Sequence, residues 1–263
     1  KSNNIDHITL GGTLLQRLLK NEQTKNKGLQ IIGEVGDSNF YRPILNNFSG
    51  GSDSNIKQAL KSAYFINNPK LILALLSFLG NEKYGKLAVI ALVQFGVKPL
   101  EALNDDIEKR GGDRLFLIHC IDLCSKVDSP ISRKILKRLL KHKSQSIYCR
   151  SLDGLAKINF STNKVNKGTI LKILKEELDL SLYIMQSMFV LNNTKNYRNT
   201  VHALNAEWEL SQLKIITVLS FILDKNVTKM AKEGIGLKDD LTRNLFLSEL
   251  SKQLKQNTFR ESV

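Results

Sequence analysis

The sequence predicts an all-α fold: a right-handed α-solenoid of stacked helical pairs, ended by a C-terminal cap of longer helices. Three observations carry this. Pro69, Pro99 and Pro130, three of the four prolines, recur about every thirty residues, each just after one amphipathic segment and opening the next. Proline suits that place, because its missing N–H has no intrahelical partner in a first turn and its fixed φ already fits a helix. The turns themselves recur: from Gly36 through Asn67, Gly96 and Asp128 to Asn159 the steps are 31, 29, 32 and 31 residues. Each turn sets an apolar last helical residue before a Gly, Asn or Asp that can take a left-handed or capping conformation. Thirdly, the stretches between turns hold two amphipathic segments apiece. Helical pairs repeated at this period cannot bury their apolar faces alone and stack on their neighbours.

In chain order, Leu10 to Asn21 and Lys25 to Val35 form an incomplete or capping pair. Phe40 to Phe48 pairs with Asn55 to Ile66 across the loop Ser49-Gly50-Gly51-Ser52-Asp53, with Asp53 or Ser54 expected to cap the second helix. Pro69 to Leu79 pairs with Glu82 to Phe95, where Leu87, Ile90, Ala91 and Gln94 mark one face and Leu92 and Val93 widen it, as a helix between two repeats requires. Pro99 to Lys109 pairs with Asp113 to Lys126, and Pro130 to Lys143 with Ser146 to Ile158. After Asn159 a lysine-rich polar passage leads into longer periodic stretches, Thr169 to Asn192 and Asn199 to Leu223, then shorter ones at Val227 to Gly234 and Lys238 to Lys255. The expected organisation is a repeat solenoid over 1–162 and a helical cap over 163–263, whose outer surface should be polar.

Composition is in keeping with a sizeable core: 263 residues, 42% apolar, with few prolines and glycines. The longest apolar candidate, Ile215 to Leu223, is about half the roughly 20 residues of a spanning helix and lies in an amphipathic pattern. Three cysteines give no even disulfide framework and suit a reducing compartment.

The stretch from about Lys27 to Ile158 resembles HEAT repeats, members of the armadillo-like solenoids. The whole run resembles the soluble HEAT-repeat domain that some bacteria fuse to ATP/ADP-translocase-like membrane proteins of the major-facilitator type. The residues that carry the resemblance are the turns Gly36-Asp37 and Ser129-Pro130, the passage Gly96-Val97-Lys98-Pro99-Leu100, the two long helices, and Lys232-Glu233-Gly234-Ile235-Gly236 before the last one. The resemblance implies a cytoplasmic scaffold domain that binds protein and lies beside a membrane transporter partner or parent, joined through sequence preceding Lys1. It implies no active site, and no nucleotide-transporting residue carries over.

Charge is the strongest chemical feature. Lys and Arg number 39 against 25 Asp and Glu, a net +14, and 29 of the 39 are lysines. Such a surface can meet an anion such as a nucleic acid or an acidic lipid headgroup. It is equally the ordinary solvated surface of a lysine-rich chain, and the scarcity of Arg, the bidentate phosphate reader, favours that plainer reading. The densest basic segment runs from Ser129 to Lys143: Ile131, Ile135, Leu136, Leu139 and Leu140 fall on one side, Arg133, Lys134, Lys137, Arg138 and Lys141 on the other. The second helices of the pairs, which line the concave face of such stacks, offer Lys57, Lys61, Lys86, Arg114 and Arg150. A HEAT-like DNA glycosylase, or another basic nucleic-acid-binding module, is the alternative. Against it, the basic stripe has no interleaved aromatics, and the single tryptophan, Trp208, lies outside the regular repeats.

Enzymatic motifs are lacking: there is no phosphate-cradling glycine loop, nucleophile elbow or metalloprotease helix, and neither catalysis nor a cofactor is expected. His119, Cys120 and Cys124 share a helix, but Leu117, Cys120, Ile121 and Cys124 trace its apolar face, which points to packing rather than metal. Glu176, Glu177 and Asp179 read as a solvated helix face.

Overall fold

The computed structural model describes residues 12–161, 164–192 and 197–223, together with Ser248 and Lys252. Every regular element among these residues is helical. Residues 12–20 form α1. There follow α2 (Glu22–Val35), α3 (Tyr41–Gly50), α4 (Asp53–Ile66), α5 (Ile72–Ser77), α6 (Gly85–Val93), α7 (Lys98–Lys109), α8 (Arg114–Cys124), α9 (Pro130–Leu139), α10 (Gln145–Lys157), α11 (Lys164–Asn192) and α12 (Arg198–Leu219). The helices expected at Val227 to Gly234 and Lys238 to Lys255 lie outside the described residues, apart from Ser248 and Lys252. The chain divides into two compact units, Lys1–Gly154 and Leu155–Val263.

Local chemistry accounts for the helix ends of the first unit. Pro69 opens a 3-10 turn that leads into α5, Pro99 lies in the first turn of α7, and Pro130 begins α9. Left-handed backbone occurs among the described residues at Gly36 (φ 68°), Asn67 (φ 43°), Gly96 (φ 61°) and Asn159 (φ 50°), four of the five recurring turn positions. At the fifth, Ser129 caps α9 instead, accepting from the Ser132 N–H at 3.0 Å. The cap of α4 is Ser52, not Asp53 or Ser54: its hydroxyl accepts from the Asn55 N–H. That leaves Asp53 in the first helical turn, where a carboxylate is favoured by the helix dipole.

Helices of the first unit pack in two rows. α2, α4, α6 and α8 touch in succession, and so do α5, α7 and α9; cross-row contacts join α3 to α4, α5 to α6, and α7 and α9 to α8. Side-chain hydrogen bonds link successive members of a row, about thirty residues apart. Ser62 Oγ donates to the Leu29 carbonyl (2.7 Å, 33 residues apart), Asn68 to the Ser38 carbonyl (2.8 Å, 30 apart), Tyr84 Oη to Asp53 (2.8 Å, 31 apart) and Arg138 to Glu108 (2.8 Å, 30 apart). Gly33 marks the closest approach of α2 and α4: a Cβ there would lie 2.8 Å from Ser62 Oγ and 3.1 Å from its backbone Cα. The core comprises Leu29, Ile32, Leu60, Leu75, Leu92, Leu103, Phe116, Ile135 and similar side chains with no exposed surface. On α6 the buried face is Ala88, Val89, Ala91 and Leu92, while Ile90 is 45% exposed and Gln94 also faces solvent. The face expected through Ile90 and Gln94 is therefore rotated.

In the second unit α11 packs on α12, and Phe160 meets Phe221 edge to face at 5.5 Å. The α11 face through Ile170, Ile173, Ser181 and Ile184 is buried, and so is Glu177, which corrects its expected place on a solvated face; Glu176 and Asp179 are exposed. One Glu177 carboxylate oxygen is buried without a hydrogen bond. Trp208 is half-buried on α12. Among the described residues no helix is long and apolar enough to cross a membrane.

Candidate functional site

The basic stripe forms where the α9 helix turns its cations away from Ile135, Leu136, Leu139 and Leu140, all of which are buried. Its two arginines are held by carboxylates. Arg133 grips Asp128 through two parallel bonds, Nε to Oδ1 at 3.0 Å and Nη2 to Oδ2 at 2.9 Å. Arg138 reaches α7, donating to Glu108 at 2.8 Å and to the Asn104 carbonyl at 3.1 Å, while its Nε is buried without a hydrogen bond. Lys134 and Lys141 are exposed and Lys137 is half-buried. Beside them Arg138, Lys141 and His142 edge a cleft of about 230 Å³ whose apolar wall includes Ile107, Leu117 and Leu139. His142 Nδ1 lies 3.0 Å from the Ser144 N–H, and its Nε2 lies 3.3 Å from the Gly111 carbonyl.

The cations on the second helices are distributed differently. Lys57 pairs with Asp53 at 2.7 Å, and the same carboxylate faces Lys83 at 3.9 Å. Hydrogen bonds from Lys57 and then from Tyr84 hold the Asp53 carboxyl below its ordinary range. Lys61 and Lys86 are exposed. Arg114 donates to Ser146 at 3.4 Å and Arg150 stands 3.9 Å from Asp122, so both link α8 with α10. Of the candidate anion contacts, Arg114, Arg138 and Arg150 thus tie one repeat to the next, whereas Lys61, Lys86, Lys134 and Lys141 face solvent.

Two cation–aromatic groupings escaped the sequence reading. Tyr41 accepts from Lys70 at 3.1 Å and from Arg42 at 3.3 Å, and those bonds, Arg42's first, lower its hydroxyl pKa. Arg110 stacks 3.9 Å from the centre of the Phe116 ring while pairing with Asp113 at 2.7 Å. Burial pushes the Asp113 carboxyl up, but its bonds to the Phe116 N–H and Arg110 outweigh that and leave it lowered. The only available signal was composition: an Arg or Lys one repeat or one turn from an aromatic.

Comparison of the chain with known family models, with curated proteins and with solved structures finds no match. The chemistry must therefore be read from the side chains alone. Cys120 and Cys124 are fully buried; burial drives the Cys120 thiol well above its usual pKa and pushes Cys124 up to about 12. His119 is buried beside them and its Nδ1 lies 2.6 Å from the Leu79 carbonyl, which makes it a donor to a neighbouring turn. Among the described residues no three His, Cys, Asp or Glu side chains gather as a metal site. What the described surface presents is exposed lysine charge, at Lys61, Lys86, Lys134 and Lys141, on a helical frame.

Proposed function

We propose that the chain is a non-catalytic scaffold, a right-handed HEAT-like α-solenoid that binds an acidic protein partner through its exposed lysines. The observation that carries this is the matched spacing of the first unit: the turns recur at 29 to 32 residues, and the hydrogen bonds from Ser62, Asn68, Tyr84 and Arg138 span 30 to 33. Contacts one period long are what a stack of repeats makes, and stacks of this kind present extended binding surfaces. Pairing of Arg133 and Arg138 with carboxylates withdraws the two best phosphate-reading groups of α9, which favours a protein over a nucleic-acid backbone. A cytoplasmic position beside a transporter-like membrane protein is part of this same proposal and rests on the sequence resemblance.

The test compares the parent with a Lys61→Glu, Lys86→Glu, Lys134→Glu, Lys141→Glu variant in affinity capture followed by identification of the bound material. The scaffold reading expects one acidic protein, retained after nuclease treatment and lost by the variant. Binding that nuclease abolishes, or duplex DNA binding with a steep salt dependence, would replace it with the nucleic-acid-binding alternative.

A further inference from the structure

Two tyrosines of the first unit meet opposite charges. Tyr41, in the first turn of α3, accepts hydrogen bonds at its phenolic oxygen from Lys70 Nζ at 3.1 Å and from Arg42 Nε at 3.3 Å. The Lys70 ammonium also lies 4.8 Å from the centre of the Tyr41 ring, so it meets both the oxygen and the π-system. Tyr84 instead donates its hydroxyl proton to the Asp53 carboxylate at 2.8 Å. A cation beside a phenol favours the ionised form, and a carboxylate that accepts its proton opposes it. The two hydroxyls follow suit: Arg42 first and then Lys70 lower the pKa of Tyr41, while Asp53 raises that of Tyr84. Tyr41 is half-buried and both of its cations are exposed, so a small reagent can reach the oxygen.

We propose that Tyr41 is a nucleophilic modification site, the tyrosine of this chain that takes an acyl group from an activated acyl donor such as an acyl phosphate or an acylimidazole. Its phenolic oxygen attacks the acyl carbon, the bond from that carbon to the phosphate or imidazole breaks, and the leaving group departs with the phenolic proton. The product is a tyrosyl ester. A phenol is a weak nucleophile until it is ionised, so the two cations enlarge the reactive fraction. They also make each phenolate less nucleophilic. If phenolates follow thiolates, that loss cancels about half of the gain on a logarithmic scale, and a net acceleration remains. The step has a structural consequence as well, because the Lys70 bond ties the turn that precedes α5 to a residue of α3 that lies 29 positions earlier. An ester oxygen carries no charge with which to hold that ammonium.

N-acetylimidazole at neutral pH, with the acetylated residues located by peptide mass spectrometry, tests this on the full chain. Hydroxylamine cleaves tyrosyl esters and spares lysyl amides, which separates reaction at Tyr41 from reaction at Lys70. Tyr41 is expected to react ahead of Tyr183 and Tyr197, although these are 67 and 48% exposed, and Tyr84 is expected to lag behind all three. Replacing both cations, Arg42→Gln with Lys70→Gln, should slow Tyr41 by at least about threefold and leave the Tyr183 rate unchanged. Helical circular dichroism should be retained, since both substituted side chains are exposed. Three results would each overturn the proposal: Tyr183 or Tyr197 esterified faster than Tyr41, a double variant that keeps the parent rate at Tyr41, or acetyl carried as an amide on Lys70 with none on Tyr41.

Discussion

Phe116 on α8 has no exposed surface, whereas Phe189 on α11 is 76% exposed. Phe116 is enclosed because α8 packs against α6, α7 and α9, whereas among the described residues α11 packs on α12. A helix met from several directions buries more of its surface than one met along a single face. The exposed apolar side chains differ accordingly. In the first unit they are scattered, Val35, Phe65, Leu73, Ile90, Val97 and Leu115 lying on separate helices or turns. Single exposed apolar residues are ordinary, whereas several on one helix are not. Among the described residues, the exposed apolar side chains of the second unit gather chiefly on α11, while those of the first are spread over many helices.

The largest effect that would break this contrast is read from the paired truncations. Phe116→Ala should cost about 3–5 kcal/mol of folding stability, since it empties a fully buried site and removes the ring on which Arg110 stacks. Leu182→Ala, at a side chain 56% exposed on α11, should change stability by no more than about 0.5 kcal/mol. Denaturant unfolding at low concentration measures both; similar costs would show that the two regions are packed alike.

A smaller loss is expected from Gly33→Val, about 1–3 kcal/mol, because the new side chain collides with Ser62 where α2 and α4 touch. Gly168→Val, on α11 where a Cβ meets nothing within 4 Å, should leave stability unchanged or raise it by about 0.3 kcal/mol, because valine is the better helix former. Thermal melts of the two variants sharpen the comparison, and equal shifts would contradict it.

The smallest effect at neutral pH concerns the cysteines. Cys120 and Cys124 should react with a thiol reagent far more slowly than half-buried Cys149 in the native protein, and all three should react alike once unfolded. The pH dependence has a definite sign. Both buried thiols have raised folded pKa values, so the folded state prefers them protonated: their contribution is complete below the unfolded value near 9 and is lost as pH rises toward about 12. A melting temperature that does not fall over that alkaline window would show that the thiols are not held in an apolar interior.

Helix ends were legible because their causes are local. Pro69, Pro99 and Pro130, and the left-handed Gly36, Asn67, Gly96 and Asn159, act within a few residues of themselves. The all-helical character followed from the same signals. Ser52 was overlooked because Asp53 and Ser54 are equally good caps, and only the backbone angles decide among them. What lies across a helix was less legible. The carboxylate that engages Arg138 is thirty residues away on α7, and the carbonyl that His119 meets is forty residues away. The exposed apolar side chains of α11 escaped notice for a related reason: a long helix with apolar residues on most sides reads as buried, and exposure depends on how distant elements pack.

The bonds of Ser62, Asn68, Tyr84 and Arg138, each spanning 30 to 33 residues, also bear on how the first unit folds. Closing a loop of that length carries a modest entropy cost, one that grows only logarithmically with the number of residues enclosed. No contact in this set requires the ends of the unit to meet. Structure can therefore nucleate at any neighbouring helices of the first unit and spread in both directions, and chains dominated by such near-neighbour contacts fold fast. During synthesis, each helical pair that emerges already has a surface on which to pack.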